Sequence, residues 1–377
     1  MAGRREFIKK GLCTGCAILA GTYPPNNLFG AASLVNNDEL WQWSREAIYW
    51  EETPRGVKCL VCPNECTLKP GETSQCHNRI SYKGKLYSIA YGNPCAVHVD
   101  PMEKKPLFHF FPGSTVFSIA TAGCNFACLN CQNWTISQVG PKETKNYDLP
   151  PAKLVTACNS NNCKSIAFTY SEPTTFFEYM IDSAKLLKKA GVRITVHSNG
   201  YINEKPLLDL CNYLDAANID LKSFSEQTYL KLSGGKLEPV LRTLKTIHNQ
   251  GVWLEITSLL VPGWTDDMQV ISTQCKWLVD NGFSEVPLHF SRFMPQYKLS
   301  QIAPTPLNTL INARETAMKH GLKYVYIGNV AGTDAENTIC PQCKAIVVER
   351  RGYKVLNLRI TKGRCNSCNT PIAGVWE

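Results

Sequence analysis

The stretch Gly123–Trp134, GCNFACLNCQNW, decides how this chain is read. It carries Cys124, Cys128 and Cys131 in a C-x3-C-x2-C array. Soft thiolates suit iron–sulfur clusters, and three of them hold three irons of a 4Fe–4S cubane. The fourth iron is then open to a ligand, as one position of a catalytic zinc site is. A zinc knuckle, or three unligated buried cysteines, is the plainer reading of the same spacing. The array directly follows Thr115–Ala120, a β-branched run that reads as a strand. It therefore sits on a loop at a strand's end.

Beyond that loop the chain repeats a unit of apolar strand and amphipathic helix. The strands read as Ser165–Tyr170, Arg193–His197, Ala217–Leu221, Trp253–Leu260, Pro287–Phe293 and Tyr324–Ile327. Helix Phe176–Lys189 places Phe177, Ile181, Ala184 and Leu187 on one face, and Val240–Asn249 and Leu307–His320 repeat the pattern. Gly191, Gly251, Gly282 and Gly321 each follow a helix, where a left-handed cap is needed. Strand–helix alternation implies parallel strands with right-handed crossovers. A full or partial (β/α) barrel is expected, with a doubly wound open sheet as the alternative.

Barrel chemistry sits at the C-terminal ends of the strands. The residues expected there are the cysteine loop, Ser171–Glu172–Pro173, Ser198–Asn199–Gly200, Asp220 with Lys222, Pro262–Gly263, and His289 with Arg292. Singly, each is an ordinary turn or surface residue. Their shared placement is what singles them out.

The C-x3-C-x2-C array resembles the signature of the radical S-adenosylmethionine (SAM) enzymes. With DPMEKKPLFHFFPGS, TYSEPT, SNGY, DLKSF, LLVPGWTDD, PLHFSRFMP and YVYIGNVAG, the chain resembles the AmmeMemoRadiSam-system radical SAM enzymes from about Glu46 to Trp376. These are related to the pyruvate formate-lyase-activating enzymes. The resemblance implies a partial (β/α)6 TIM-like barrel of the radical SAM type. It implies that SAM chelates the open iron through its amino and carboxylate groups, and that an electron from the reduced cluster cleaves it to methionine and a 5′-deoxyadenosyl radical. Glu172 would bind the SAM amino group. Asn199, Asp220 and Lys222 would meet the ribose or carboxylate, and His289 would lie near the methionine end. A low-potential donor such as flavodoxin or ferredoxin, and a protein or peptide substrate, follow from the same likeness. One residue departs from the pattern: Asn130 stands where the family often has an aromatic beside the adenine, so no stacking contact is expected there.

Two further cysteine groups flank the barrel. Cys59, Cys62, Cys66 and Cys76 fall in one short span, where zinc or a second iron–sulfur cluster would fit, with His77 and Cys95 as spare ligands. Cys340, Cys343, Cys365 and Cys368 form two C-x2-C knuckles around Ala345–Ile360, a tetrathiolate site for zinc or rubredoxin-type iron. That lobe reads as a structural element ahead of electron transfer. A nucleic-acid-binding ribbon, supported only by Arg350, Arg351, Lys354 and Arg359, lacks an aromatic platform.

The chain has 377 residues, 44% hydrophobic and 19% charged, which describes a globular protein. Its formal charge of +9 is spread along the sequence, as on a solvated surface, and argues against a nucleic-acid partner. No apolar run is long enough for an ordinary membrane span. Of the eighteen cysteines many fall in C-x2-C or C-x3-C groups, which points to metal and not to disulfides. Arg4–Arg5–Glu6–Phe7–Ile8–Lys9, followed by the apolar Gly11–Gly21, resembles a twin-arginine export signal, which implies the periplasm or cell envelope, whereas SAM chemistry favours the cytoplasm. The expected organisation is a signal segment over 1–33, a helix and Cys-rich lobe over 34–113 (the helix at Asp38–Tyr49), a radical SAM core over 114–335 and a two-knuckle lobe over 336–377. The competing class is a non-catalytic iron–sulfur or zinc protein, acting in electron transfer or as an interaction module.

Overall fold

The computed structural model describes residues 40–330 and 332–377, so the export-like segment lies outside the described residues. Trp41–Glu377 forms one compact unit. Its centre is an eight-stranded sheet: β1 (Ala96–Pro101), β2 (Thr115–Ala120), β3 (Ser165–Phe168), β4 (Arg193–Ser198), β5 (Ala216–Asp220), β6 (Trp253–Leu260), β7 (Leu288–Arg292) and β8 (Val325–Gly328). The strands lie side by side in sequence order. β1 pairs antiparallel with β2, and every later pair is parallel.

That order excludes the doubly wound alternative. A doubly wound sheet reverses direction partway and carries helices on both faces. Here each crossover steps one strand onward, and right-handed crossovers of one sense place their helices on one face. The principal helices are α1 (Pro151–Ser160), α2 (Phe177–Lys189), α3 (Glu204–Cys211), α4 (Glu226–Ser233), α5 (Leu237–Asn249), α6 (Met268–Asp280) and α7 (Leu307–Lys319). Six strand-to-helix units thus end in a seventh parallel strand, and β1 and β8 remain unpaired with each other. The result is a partial barrel, open between its edges. Strand composition fits: all four residues of β3 and five of the six in β2 are buried, as in a parallel sheet covered on both sides. Gly191, Gly251, Gly282 and Gly321 all have positive φ, as the helix-end pattern requires.

The expected helix over Asp38–Tyr49 is not formed in its described part. Arg45–Glu46 is a strand paired with Lys85–Ser88, and Trp50–Thr53 pairs with Gly56–Cys59. The burial pattern gives the reason. Ala47 and Tyr49 are buried while Ile48 between them is exposed, a period of two that suits a pleated edge. The Cys-rich lobe is thus built of short antiparallel strands. It is fastened to the barrel by a fully buried ion pair, Arg79 Nη1 to Glu178 Oε2 on α2, at 2.5 Å. Removing one partner of such a pair costs about 3–5 kcal/mol, because the other charge stays buried.

The segment after β8 folds into the hairpin Ile346–Arg351 with Lys354–Leu358 and the smaller pair Ile360–Thr361 with Arg364–Cys365. It shares a core with the barrel: Val347, Val348, Ile360 and Trp376 pack with Phe108, Tyr324 and Tyr326. Arg350 is buried, donates to the Phe108 carbonyl at 2.6 Å and lies 3.6 Å from Glu103. Among the described residues, no helix is long and apolar enough to cross a membrane.

Candidate active site

A cavity of about 450 Å³ opens within the barrel at the C-terminal strand ends. Cys124, Cys128 and Cys131 line it from the loop after β2, Glu172 from the turn after β3, Asn199 from the end of β4, Asp220 and Lys222 from β5, and His289 from β7. The cysteine triad, Ser171, Glu172, Ser198, Asn199, Asp220, Lys222 and His289 therefore meet in one space, whereas Pro173, Gly200, Pro262, Gly263 and Arg292, expected at the same face, do not line it. A flat sheet could not bring the ends of β2 through β8 to one cavity, so their convergence also measures the curl of the sheet.

The cysteine loop is clamped from both sides. Gly123 has φ +94°, and a Cβ there would stand 2.4 Å from the Cys76 carbonyl oxygen, so only glycine lets the loop pass the N-terminal lobe. On the other side, Ala127 N–H and Leu129 N–H donate to the carbonyls of Ser233 and Leu232. Burial pushes the Cys124 and Cys128 thiols above their ordinary range; Lys222 beside Cys128 works against that rise.

Glu172 is 2% exposed. Its Oε1 accepts from Thr174 N–H at 3.0 Å, Thr174 Oγ1 at 2.6 Å and Ser198 Oγ at 2.7 Å. Its Oε2 accepts only from Asn199 N–H, at 2.7 Å. Burial raises this carboxyl above its usual range, against the pull of those four donors. The preceding Tyr170 holds φ +64°, a strained conformation that turns the chain into the cavity wall. Asn199 Nδ2 donates to Asn125 Oδ1 at 2.7 Å and comes within 3.9 Å of Cys124 Sγ, joining β4 to the cysteine loop.

Asp220 lies between two hydrogen-bond partners, His197 Nε2 at 3.0 Å and Lys222 Nζ at 2.8 Å. Burial would raise its carboxyl, but Lys222 and His197 outweigh that and hold it well below the carboxylate range. Lys222 is held charged by Asp220 and Cys128, despite burial. His289 Nε2 is engaged to Glu255 Oε2 at 2.7 Å, so that nitrogen is already taken up in the barrel floor.

Three lining or supporting residues escaped the sequence reading. Lys105 is 1% exposed, lines the cavity and pairs with Asp100 at 2.6 Å. Burial pushes its amine down to about 8, with Asp100 opposing. Glu255, fully buried, accepts from the backbone N–H groups of Phe108 and His109 as well as from His289. Its detectable signal was a lone carboxylate inside the apolar strand WLEITSLL. Tyr353, from the C-terminal hairpin, lines the cavity too, and no local pattern marks it.

The donor set was tested against the two groups it should hold. Among the described residues, ligand atoms within 4.8 Å of one another occur in one group, Cys340, Cys343, Cys365 and Cys368. The barrel cysteines are thus not drawn together around one ion, which is how thiolates on separate irons stand. SAM fits as well: Asn130 lines the cavity, and its Oδ1 is buried with no hydrogen-bond partner in the protein, an acceptor for an exocyclic amine such as adenine's. In the C-terminal tetrad, the sulfur distances Cys340–Cys368 and Cys343–Cys365 are 3.6 and 3.7 Å. A tetrahedron with metal–sulfur bonds of about 2.3 Å has sulfur–sulfur edges of about 3.8 Å, so this is the geometry of one ion, zinc or iron.

The model of the radical SAM superfamily matches residues 118–272. The uncharacterized protein MJ0808 of Methanocaldococcus jannaschii is 43% identical over 331 residues, covering 87% of this chain and 98% of that one. The pyruvate formate-lyase 1-activating enzyme of Escherichia coli is 26% identical over 219 residues, 54% of this chain and 89% of that enzyme. The benzylsuccinate synthase activating enzyme of Thauera aromatica is 21% identical over 299 residues, 74% of this chain and 89% of its own length.

Proposed function

The chain belongs to the radical SAM superfamily and is a radical SAM enzyme, and on that premise we propose that it works as an activating enzyme does, on a protein or peptide substrate. In this reading Cys124, Cys128 and Cys131 ligate a 4Fe–4S cluster with one open iron. The observation that carries it is the convergence of those cysteines with Glu172, Asn199, Asp220 and Lys222 on one cavity. When bound, the reduced cluster supplies the electron that splits SAM into methionine and a 5′-deoxyadenosyl radical, which takes a hydrogen atom from the substrate.

The chain's own groups do the positioning. Glu172 Oε2, with one donor in the protein, has a lone pair free for an ammonium group. The Lys222–Asp220–His197 array offers a fixed cation and a fixed anion side by side, suited to a carboxylate and to ribose hydroxyls. Asn130 Oδ1 offers an acceptor to the adenine amine. A macromolecular substrate is supported by the two relatives whose names make them activators of other enzymes.

Anaerobic reconstitution followed by reduction and addition of SAM tests the reading. The electron paramagnetic resonance spectrum should change on SAM addition, and 5′-deoxyadenosine should accumulate. A fully loaded protein with an unaltered spectrum and no 5′-deoxyadenosine would overturn it in favour of a plain electron carrier.

A further inference from the structure

We propose that Cys59, Cys62, Cys66 and Cys76 hold a second, fully ligated iron–sulfur cluster, packed against the cysteine loop of the barrel. The four residues belong to one small lobe. Cys59 ends the strand Gly56–Cys59, its N–H donates to the Cys66 carbonyl at 3.0 Å, and Cys62 lies in the turn between them, where its carbonyl accepts from Glu65 N–H at 3.1 Å. Cys76 is carried in from the next turn, its Sγ 3.1 Å from Ser74 Oγ. Cys59 and Cys76 are buried, Cys62 and Cys66 half-buried, and all four are free thiols. The Cys62 thiol lies close enough to Cys59, Cys76 and Cys66 to feel the charge of each.

Four cysteines grouped in this way suit either one ion or a polynuclear cluster, and two observations favour the cluster. First, their sulfurs are not gathered within 4.8 Å of one another, as those of the C-terminal tetrad are. One ion needs that gathering; a cubane, with each thiolate on its own iron, does not. Second, the lobe holds a buried guanidinium N–H that lacks a partner. Arg79 is 1% exposed and gives Nη1 to Glu178, while Nη2 has no hydrogen-bond partner in the protein. Cys59 and Cys76 are neighbours of this guanidinium. A guanidinium N–H left unmet inside a protein is costly. A cluster on four thiolates is anionic overall and offers sulfur acceptors to it. Four protein ligands also close every iron, so this cluster would not bind SAM.

Its placement is fixed by contacts to the triad loop. Cys76 presses its carbonyl on Gly123, Asn78 Nδ2 donates to the Ala122 carbonyl at 2.7 Å, and Asn64 Nδ2 donates to the Asn125 carbonyl at 2.8 Å. The lobe thus touches the cysteine loop at Ala122, Gly123 and Asn125.

The test uses the full chain with Cys124, Cys128 and Cys131 all changed to Ala, reconstituted anaerobically with iron and sulfide. About four irons and four acid-labile sulfides per chain should remain beyond the single ion of the C-terminal tetrad. The reduced protein should give a cluster resonance signal that SAM does not alter. Adding Cys59→Ser and Cys76→Ser should abolish both. Zinc without sulfide, or no metal in the lobe, overturns the proposal. If the triad variant does not fold, the unmodified chain decides: about eight irons and eight sulfides support the cluster, about four of each exclude it. The SAM-sensitive signal of the unmodified chain is read separately, so loss of the barrel cluster cannot be mistaken for loss of this one.

Discussion

Two cysteine sites in this chain differ in how far the protein alone completes them. The C-terminal tetrad brings four sulfurs to within 4.8 Å of one another from two knuckles, each a self-contained turn. The barrel triad hangs from one loop, clamped by Gly123 against Cys76 and by Ala127 and Leu129 against the end of α4. The first is a closed coordination sphere that sequence spacing encodes by itself. The second offers three thiols from one loop, and the polar residues that share its cavity come from strands remote in sequence. A closed site holds a lobe together; an open one leaves room for a substrate.

Breaking the triad should have the largest effect. Cys128→Ala should lose the SAM-responsive cluster and lower 5′-deoxyadenosine formation to background, while the single C-terminal ion stays. Metal analysis and product assay on one preparation would check this, and a variant that kept full SAM cleavage would remove Cys128 from the ligand set.

Glu172→Gln keeps the size of the side chain and an acceptor for Thr174 and Ser198, but discards the charge. A charge-assisted hydrogen bond is worth about 1.5–3 kcal/mol. SAM affinity, measured with the cluster intact, should therefore fall about 10- to 100-fold. Unchanged affinity would reduce Glu172 to a brace between β3 and β4.

The joint between barrel and C-terminal lobe should respond to acid. His109 is fully buried against Tyr326, Trp376 and the Ala373 carbonyl, and burial pushes its imidazole down to about 4. The folded chain keeps it neutral while the unfolded chain protonates near 6.5. Its stabilising contribution is complete above about 6.5 and is lost as pH falls towards 4, at most about 3 kcal/mol. Chemical denaturation of the wild type and of His109→Gln should show a gap in stability that narrows over that window. A gap that stays constant would show that the histidine is already charged in the fold.

The smallest effect on radical generation should follow from removing the other metal. Cys365→Ser with Cys368→Ser should release one ion and loosen Ile339–Trp376, Tyr353 in the cavity wall included, yet leave the barrel cluster in place and SAM cleavage without substrate detectable, since no ligand of the triad lies there. Loss of all cleavage with the barrel cluster intact would make the tetrad part of the electron path.

What could be read in advance follows the same division. The parallel strands, the four helix-end glycines and the strand-end residues obey local periodicity, and Cys124 through His289 could be placed on one face by counting strands. The expected helix over Asp38–Tyr49 failed because its alternation, Ala47 in and Ile48 out, is set by pairing with Lys85–Ser88, a partner forty residues on. Lys105 sits in EKKP, which reads as a solvated charge run, and only Asp100 and the fold reveal it as a buried cation. Roles carried by tertiary contact leave little trace in spacing.

Tyr353 extends this to the order in which the chain is made. It lines the cavity from a hairpin that leaves the ribosome after all eight strands of the central sheet. The same hairpin is locked down by Arg350, which reaches the Phe108 carbonyl and approaches Glu103 in the connection before β2. A nascent barrel, with its cysteine loop already in place, still has an unfinished wall. Part of the cavity wall is therefore supplied by a hairpin made after the strands that carry the rest of it.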